Sequence, residues 1–268
     1  MRQPVLFLGH GSPMNAIENN VFHQQWQTLG RTLPRPRAIL CISAHWETNE
    51  AAVTASAQPA TMHDFGGFPP ALHAVRYGAP GDPALAARIA ALLAPEPVHL
   101  DAERGLDHGS WGVILPMHPN ADIPVLQLSL ARGRSGAWHL ALARRLAVLR
   151  DEGVLILASG NFVHNLGLLR WPLDRAEPWA ERAQARFNQW LDSDDLTALC
   201  EPFRGGEDIR LAIPSAEHYL PVLYALGARL PGDTLTRFSD VVLGSLSMTS
   251  LLITPAGSDP QSLLTEPA

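Results

Sequence analysis

There is no lysine in this sequence: all 20 basic residues are arginine. A Schiff-base lysine and the phosphate-binding lysine of a Walker-type loop are therefore both excluded. Only two cysteines occur, Cys41 and Cys200, and they form no CxxC pair, so a structural zinc site built on thiolates is excluded as well. Cys41 lies in an apolar run and reads as a core residue. No stretch of about 18 apolar residues is present, so no membrane span is expected. The short apolar run after Arg2 is interrupted by His10, which predicts no secretory leader. Basic charge is scarce too: the net charge of −6 disfavours non-specific nucleic-acid binding. These absences predict a soluble cytoplasmic protein that engages neither nucleic acid nor membrane.

What is present supports a sizeable core. The chain has 268 residues, 46% of them hydrophobic and 17% charged, enough for one large α/β domain or two small ones. Apolar runs over Val5–Gly9, Ala38–Ser43, Ala51–Ser56, Pro124–Leu130 and Val154–Gly160 read as strands. They alternate with helix-like segments over Asn20–Leu33, Asp82–Leu93, Ala137–Arg150 and Glu177–Ser193. A short helix is expected over Gly112–Met117, and another from about Ser215, with Ser215 as its N-cap. Residues Thr234–Ile253 alternate apolar and polar around Gly244 and read as closing strands. Thr61–Pro83, rich in glycine, proline and aromatics, is a long loop of the kind that forms lids. The pattern predicts a single βαβ-rich α/β domain over residues 1–255. A frayed tail is expected over residues 256–268.

Chemistry is concentrated in the 11 histidines. Three of them follow strand-like runs: His10 in Gly9-His10-Gly11-Ser12-Pro13, His45 in Ser43-Ala44-His45-Trp46-Glu47, and His164 in Gly160-Asn161-Phe162-Val163-His164-Asn165. In an open parallel sheet the loops at the carboxyl ends of strands share one edge, and ligand sites form there. Imidazoles gathered at that edge point to a metal centre. A turn or oxyanion-loop role for His10, packing of His45 on Trp46, and a helix-start position for His164 are the alternatives. His218, in Ser215-Ala216-Glu217-His218-Tyr219, is expected in the first turn of the helix that Ser215 caps. Glu217 beside it is a competing ligand, as a 2-His-1-carboxylate set would require. His108, in Leu106-Asp107-His108-Gly109-Ser110-Trp111, reads either as a substrate contact oriented by Asp107 or as a packed loop residue. His63 and His73 bracket the Asp64-Phe65-Gly66-Gly67-Phe68-Pro69 run and are placed to line an entrance; Arg76 is a candidate partner for a substrate carboxylate. His23, His99, His118 and His139 read as surface or structural. No two candidate ligands have HxH or HExxH spacing, and Ser12 and Ser159 lack a G-x-S-x-G elbow.

Taken together, these motifs, with Ala121-Asp122-Ile123-Pro124-Val125 and Glu217-His218-Tyr219-Leu220-Pro221, resemble the class III extradiol ring-cleaving dioxygenase superfamily. They run in family order from residue 4 to about residue 250, and are most similar to the 4,5-DOPA dioxygenase group in its bacterial version, which has Asn165-Leu166-Gly167 after the last strand histidine. The resemblance implies a single α/β domain with a central mixed, largely parallel sheet flanked by helices, and a metal held by His10, His45 and His218. It implies that His164 is the acid/base residue, reaching the metal as a fourth ligand in a resting zinc form, and that His108 contacts substrate. It implies one divalent metal, with Fe(II) expected for turnover and Zn(II) as the form bound after purification or crystallisation. The partners implied are a catechol and O2, acting on a monomer or homodimer, with DOPA opened to a seco-DOPA semialdehyde. A zinc-dependent hydrolase on the same histidines and a non-catalytic binding relative are the competing readings.

Overall fold

Alternation within the apolar runs builds the two faces of one sheet. The computed structural model describes residues 2–171, 173 and 175–266. The strands are β1 (Val5–Gly9), β2 (Ala38–Thr48), β3 (Ala51–Thr54), β4 (Val98–Asp101), β5 (Val125–Ala131), β6 (Val154–Gly160), β7 (Thr234–Phe238), β8 (Val242–Leu243), β9 (Leu246–Ser247) and β10 (Ser250–Thr254). Among the described residues eight of them form a single sheet in the order β4-β3-β5-β2-β6-β1-β10-β7, while β8 and β9 make a separate hairpin. The central run β5-β2-β6-β1 is parallel throughout. β10 runs antiparallel to both β1 and β7, and β3 runs antiparallel to β5 but parallel to β4. The sheet is thus mixed and largely parallel, as expected.

The helices are α1 (Val21–Thr32), α2 (Pro70–His73), α3 (Pro83–Leu93), α4 (His108–Met117), α5 (Gly136–Leu146), α6 (Pro178–Asp192), α7 (Leu196–Cys200), α8 (Glu207–Ala212), α9 (Pro221–Gly227) and α10 (Pro260–Leu264). Successive strand residues point to opposite faces. Accordingly Val5, Phe7, Leu40, Ile42 and Ile156 join α3, α5, α6 and α9 in one buried cluster. Leu6, Leu8, Ile39, Cys41, Leu155 and Leu157 join α1 and α4 in the other. Burial on both faces is why these strands read as continuous apolar runs. Cys41 is fully buried, as a core residue should be. Among the described residues no helix is long and apolar enough to cross a membrane.

Four expectations are corrected. β2 does not end at Ser43 but continues to Thr48, with its register on β5 shifting between Ile42 and Glu47. The irregularity inserts residues into the edge of the ladder and re-aims them, as bulges do. α4 begins at His108, not Gly112, because Asp107 caps it by accepting the backbone N–H of Ser110 at 3.0 Å. Ser215 caps no helix: its hydroxyl donates to Glu217, residues 214–220 form turns, and the helix starts at Pro221. The tail expected to fray carries α10, whose Leu263 and Leu264 pack on the α1 side. There Gln25 donates to the Leu264 carbonyl at 3.1 Å and Thr32 to the Leu263 carbonyl at 2.6 Å. Residues 267 and 268 of that tail lie outside the described residues.

Candidate metal centre

Register brings the site together. β1 and β6 end side by side, with Gly9 opposite Gly160, and Ser43 of β2 lies opposite Ser159 of β6. His10 leaves β1 at this edge, its backbone N–H donating to the Gly160 carbonyl at 3.2 Å. His45 arrives from the irregular stretch of β2. His218 arrives from the turn before α9, whose backbone is held against β6 by the Asn161 N–H, 2.8 Å from the His218 carbonyl.

Ligand nitrogens of His10, His45 and His218 all lie within 4.8 Å of one another. The ring centroids are 5.1 Å apart for His10 and His45, 5.2 Å for His10 and His218, and 5.0 Å for His45 and His218. The outer nitrogens decide which nitrogens face inward. Ser159 Oγ donates to the Gly109 carbonyl, so it accepts from His10 Nδ1, 2.9 Å away. His218 Nδ1 donates to Glu217 Oε1 at 3.0 Å. His10 and His218 therefore carry their protons outward and present Nε2 as a lone pair. His218 Nε2 is buried with no hydrogen-bond partner, and His10 Nε2 and His45 Nε2 face each other at 3.4 Å. Buried imidazole nitrogens with no proton to share repel one another, and a cation between them removes the repulsion. The donor set fits one divalent ion.

Burial, and then the mutual repulsion of the imidazolium forms, pulls His10 well below the ordinary histidine range. The same causes bring His45 to about 2, against an opposing pull from Asp64. Both rings are neutral at physiological pH, as metal binding requires. Burial raises Glu217, but hydrogen bonds from His218, its own backbone and Ser215 outweigh this and hold it at about 2. Glu217 is a carboxylate on the outer nitrogen of His218. Among the described residues its grouping with ligand geometry is with His164 and His218.

His164 stands outside the triad. Its ring stacks on His218 at 3.4 Å between centroids and 5° between planes, and its nitrogens do not join the His10–His45–His218 group. It sits in no helix: its N–H donates to the Ala212 carbonyl at 2.9 Å and it bridges to Leu246. Burial, then the neighbouring His218, lowers it to about 3.

His108 flanks the triad from the other side, 3.9 Å from the His45 ring and 6.2 Å from the His10 ring. Its carboxylate neighbour is Asp64, not Asp107. Asp107 is fully buried and accepts from Ser43 Oγ at 2.7 Å, Gln127 Nε2 at 2.7 Å and the α4 N-terminus. Asp64 accepts the His108 backbone N–H at 2.9 Å and lies 3.0 Å from its Nδ1. The loop carrying Asp64 packs Phe65 against His108, Trp111, His73 and Phe68, with centroids 5.0–6.2 Å apart. His63 and His73 lie in this aromatic cluster, 6.1 Å apart. Arg76 is exposed and donates from Nη1 to the loop carbonyls of His73 at 2.8 Å and Val75 at 2.7 Å. Of the histidines read as structural, His139 is fully buried and 3.0 Å from the Tyr224 hydroxyl.

Three contributors escaped sequence reasoning: Ser159, Asp64 and the close-packed glycines. A Cβ on Gly109 would stand 2.7 Å from His45 Cδ2, and one on Gly160 would stand 2.3 Å from the His218 carbonyl oxygen. A strand-end serine or glycine is too common to single out without the fold.

Residues 4–236 match the family described as the catalytic LigB subunit of aromatic ring-opening dioxygenase. The chain is 49% identical over 259 residues to the 4,5-DOPA dioxygenase extradiol of Escherichia coli K12, covering 94% of this chain and 95% of that protein. It is 40% identical over 233 residues to the protein of the same name from Beta vulgaris, covering 83% and 85%. A crystal structure of an uncharacterized protein from Escherichia coli K12 superposes with a TM-score of 0.80 at 45% identity, over 94% of this chain and 100% of that one.

Proposed function

The chain belongs to the LigB family of aromatic ring-opening dioxygenases, and from that membership we propose that residues 1–255 form an extradiol dioxygenase. It opens a catechol ring beside the diol with O2. Its relatives' names point to a 4,5-DOPA-type substrate, with a seco-DOPA semialdehyde as product. The observation that carries the reading is the convergence of three imidazoles whose outer nitrogens are already engaged or faced by Ser159, Asp64 and Glu217.

His10, His45 and His218 would hold the ion. A divalent cation on three uncharged ligands keeps its full charge, acidifies a bound hydroxyl and, as Fe(II) but not Zn(II), supplies the redox chemistry that O2 demands. Zn(II) binds imidazole more tightly than Fe(II), so it is the form expected after purification.

The protein's own part is proton handling and enclosure. His164, neutral and half-buried on the flank of His218, takes a hydroxyl proton from the catechol. A buried imidazole accepts a proton when opposite charge forms beside it, and the catecholate provides that charge. The proton returns to the product side as the ring opens. His108 meets the substrate from the opposite flank, and the Phe65 cluster limits access of water.

The test is reconstitution of metal-free protein with Fe(II) under anaerobic conditions, followed by oxygen and a panel of catechols including DOPA. Oxygen uptake with a yellow ring-opened product is expected. Absence of product from every catechol overturns the reading. Ester or amide turnover with Zn(II) and no oxygen uptake would identify a hydrolase instead.

A further inference from the structure

We propose that Asp64 is a positioning residue through which the Thr61–Tyr77 loop sets the orientation and tautomer of two site imidazoles, His45 and His108, at once. The inference rests on the reading of His10, His45 and His218 as ligands of an ion.

Four of the five rings around the site, His10, His45, His108 and His218, are supported from behind in two different ways. His10 and His218 are backed by groups on their own side of the fold: Ser159, at the end of β6, and Glu217, the residue next in the chain to His218. His45 has no such neighbour on the sheet. The group facing its outer nitrogen is Asp64 Oδ2, 3.6 Å from Nδ1. The other oxygen of the same carboxylate, Oδ1, lies 3.0 Å from His108 Nδ1 and accepts the His108 backbone N–H at 2.9 Å. One carboxylate therefore faces the outer nitrogens of two rings that lie 3.9 Å apart.

The chemistry gives this arrangement a direction. A neutral imidazole carries one N–H, and a carboxylate beside Nδ1 favours the proton there by its charge, although at 3.6 Å for His45 and out of line for His108 neither contact is a formed hydrogen bond. For His45 this leaves Nε2 as a lone pair facing His10 Nε2, as ligation requires. For His108 it leaves Nε2 as an acceptor instead of a donor. Without the carboxylate, each ring is free to place its proton on Nε2, which for His45 directs an N–H at the ion. Asp64 can do this because its main chain is anchored: Phe65 beside it packs edge-on against His108 and lies 6.2 Å from Trp111, and Trp111 Nε1 donates to the Met62 carbonyl at 2.8 Å. Asp107, the carboxylate adjacent to His108 in sequence, is committed to Ser43, Gln127 and the helix start.

The test compares wild type with Asp64→Asn and Asp64→Glu, all metal-free. Asn still accepts the His108 N–H, so the start of α4 keeps its contact while the negative charge is lost. Thermal melting checks the fold, and Asp64→Ser replaces the amide variant if that one does not fold. Two readouts are made: Co(II) affinity by chelator competition, and the ring 15N signals of histidine-labelled protein. Asp64→Asn is expected to weaken Co(II) binding about 10- to 100-fold, the range for loss of a group behind a ligand. It is expected to move His45 and His108 away from the Nδ1–H pattern while His10 and His218 keep theirs. Asp64→Glu, which retains the charge, is expected to recover part of the affinity. Unchanged Co(II) affinity in Asp64→Asn, an equal response of all four rings, or no recovery in Asp64→Glu overturns the proposal. Wild-type protein that binds no Co(II) would instead overturn the ligand reading, and the proposal with it.

Discussion

Gly160 lies against the backbone of His218, so closely that a Cβ there would stand 2.3 Å from the His218 carbonyl oxygen. The end of β6 is thus the wall on which the turn carrying His218 rests, and the Asn161 N–H holds that same carbonyl at 2.8 Å. Gly160→Ala must push the 214–220 turn outward. We expect a loss of about 1–3 kcal/mol of stability, the usual cost of overpacking. Weaker ion binding should accompany it, because His218 moves with its turn. Chemical denaturation and a Zn(II) competition titration measure the two effects. Wild-type values for both would show that the wall yields without moving His218.

His164→Ala should separate holding the ion from moving the proton. The ring stacks on His218 and stays out of the triad. Ion affinity is expected within a few-fold of wild type, and turnover about 10²–10⁴-fold lower, the usual contribution of a general acid/base. Zn(II) affinity and steady-state kinetics of the Fe(II) form measure the pair. A large loss of affinity would make His164 a fourth ligand.

Ser159→Ala removes the acceptor of the His10 Nδ1 proton. His10 is then free to carry its proton inward. Ion affinity is expected to fall about 10-fold or more, while His45 and His218 keep their own supports. A Zn(II) titration of the variant decides this, and an unchanged affinity would show that Ser159 does not set the tautomer.

His139 makes stability depend on acid, far from the site. Burial leads the causes that lower its pKa from 6.5 to about 4. Between those values the unfolded chain binds a proton that the folded chain refuses, so stability falls as pH drops from about 6.5 toward about 4. The linkage amounts to about 2 kcal/mol between pH 7.5 and pH 5. His139→Gln should lose that much less stability over the same interval. Urea denaturation of both proteins at the two pH values measures the difference, and parallel losses would exclude His139 as the cause.

The strands were legible because both faces of the sheet are buried, which leaves long apolar runs such as Val5–Leu8 and Val154–Ala158 in the chain itself. His10 and His164, beyond the ends of β1 and β6, were legible for the same reason, since parallel strands deliver their carboxyl ends to one edge. The course of β2 past Ser43 was not. Its polar and aromatic residues Ser43–Thr48 lack the alternation of a strand, and they extend only because β5 is there to pair with. Nor was the start of α4: Gly109 and Gly112 argue against a helix locally, and the cap on Asp107 together with burial against β2 outweighs them. The turn holding His218 was misjudged because Ser215 has the chemistry of a cap, and the nearby Glu217 carboxylate competes for its hydroxyl.

Residue types and their order along the chain were enough to read the central strands, the two-sided core and the positions of His10 and His164 beyond β1 and β6, since these follow from local periodicity and from the hand and direction of parallel strands. Which imidazole nitrogens face one another, and which carboxylate stands behind which ring, was decided in three dimensions. Asp64 reaches His45 and His108, Ser159 reaches His10, and Gly160 admits His218 only after segments tens to hundreds of residues apart have packed. Hydrogen-bond direction at a ring depends on distances of about 3 Å, and sequence separation carries no information at that scale.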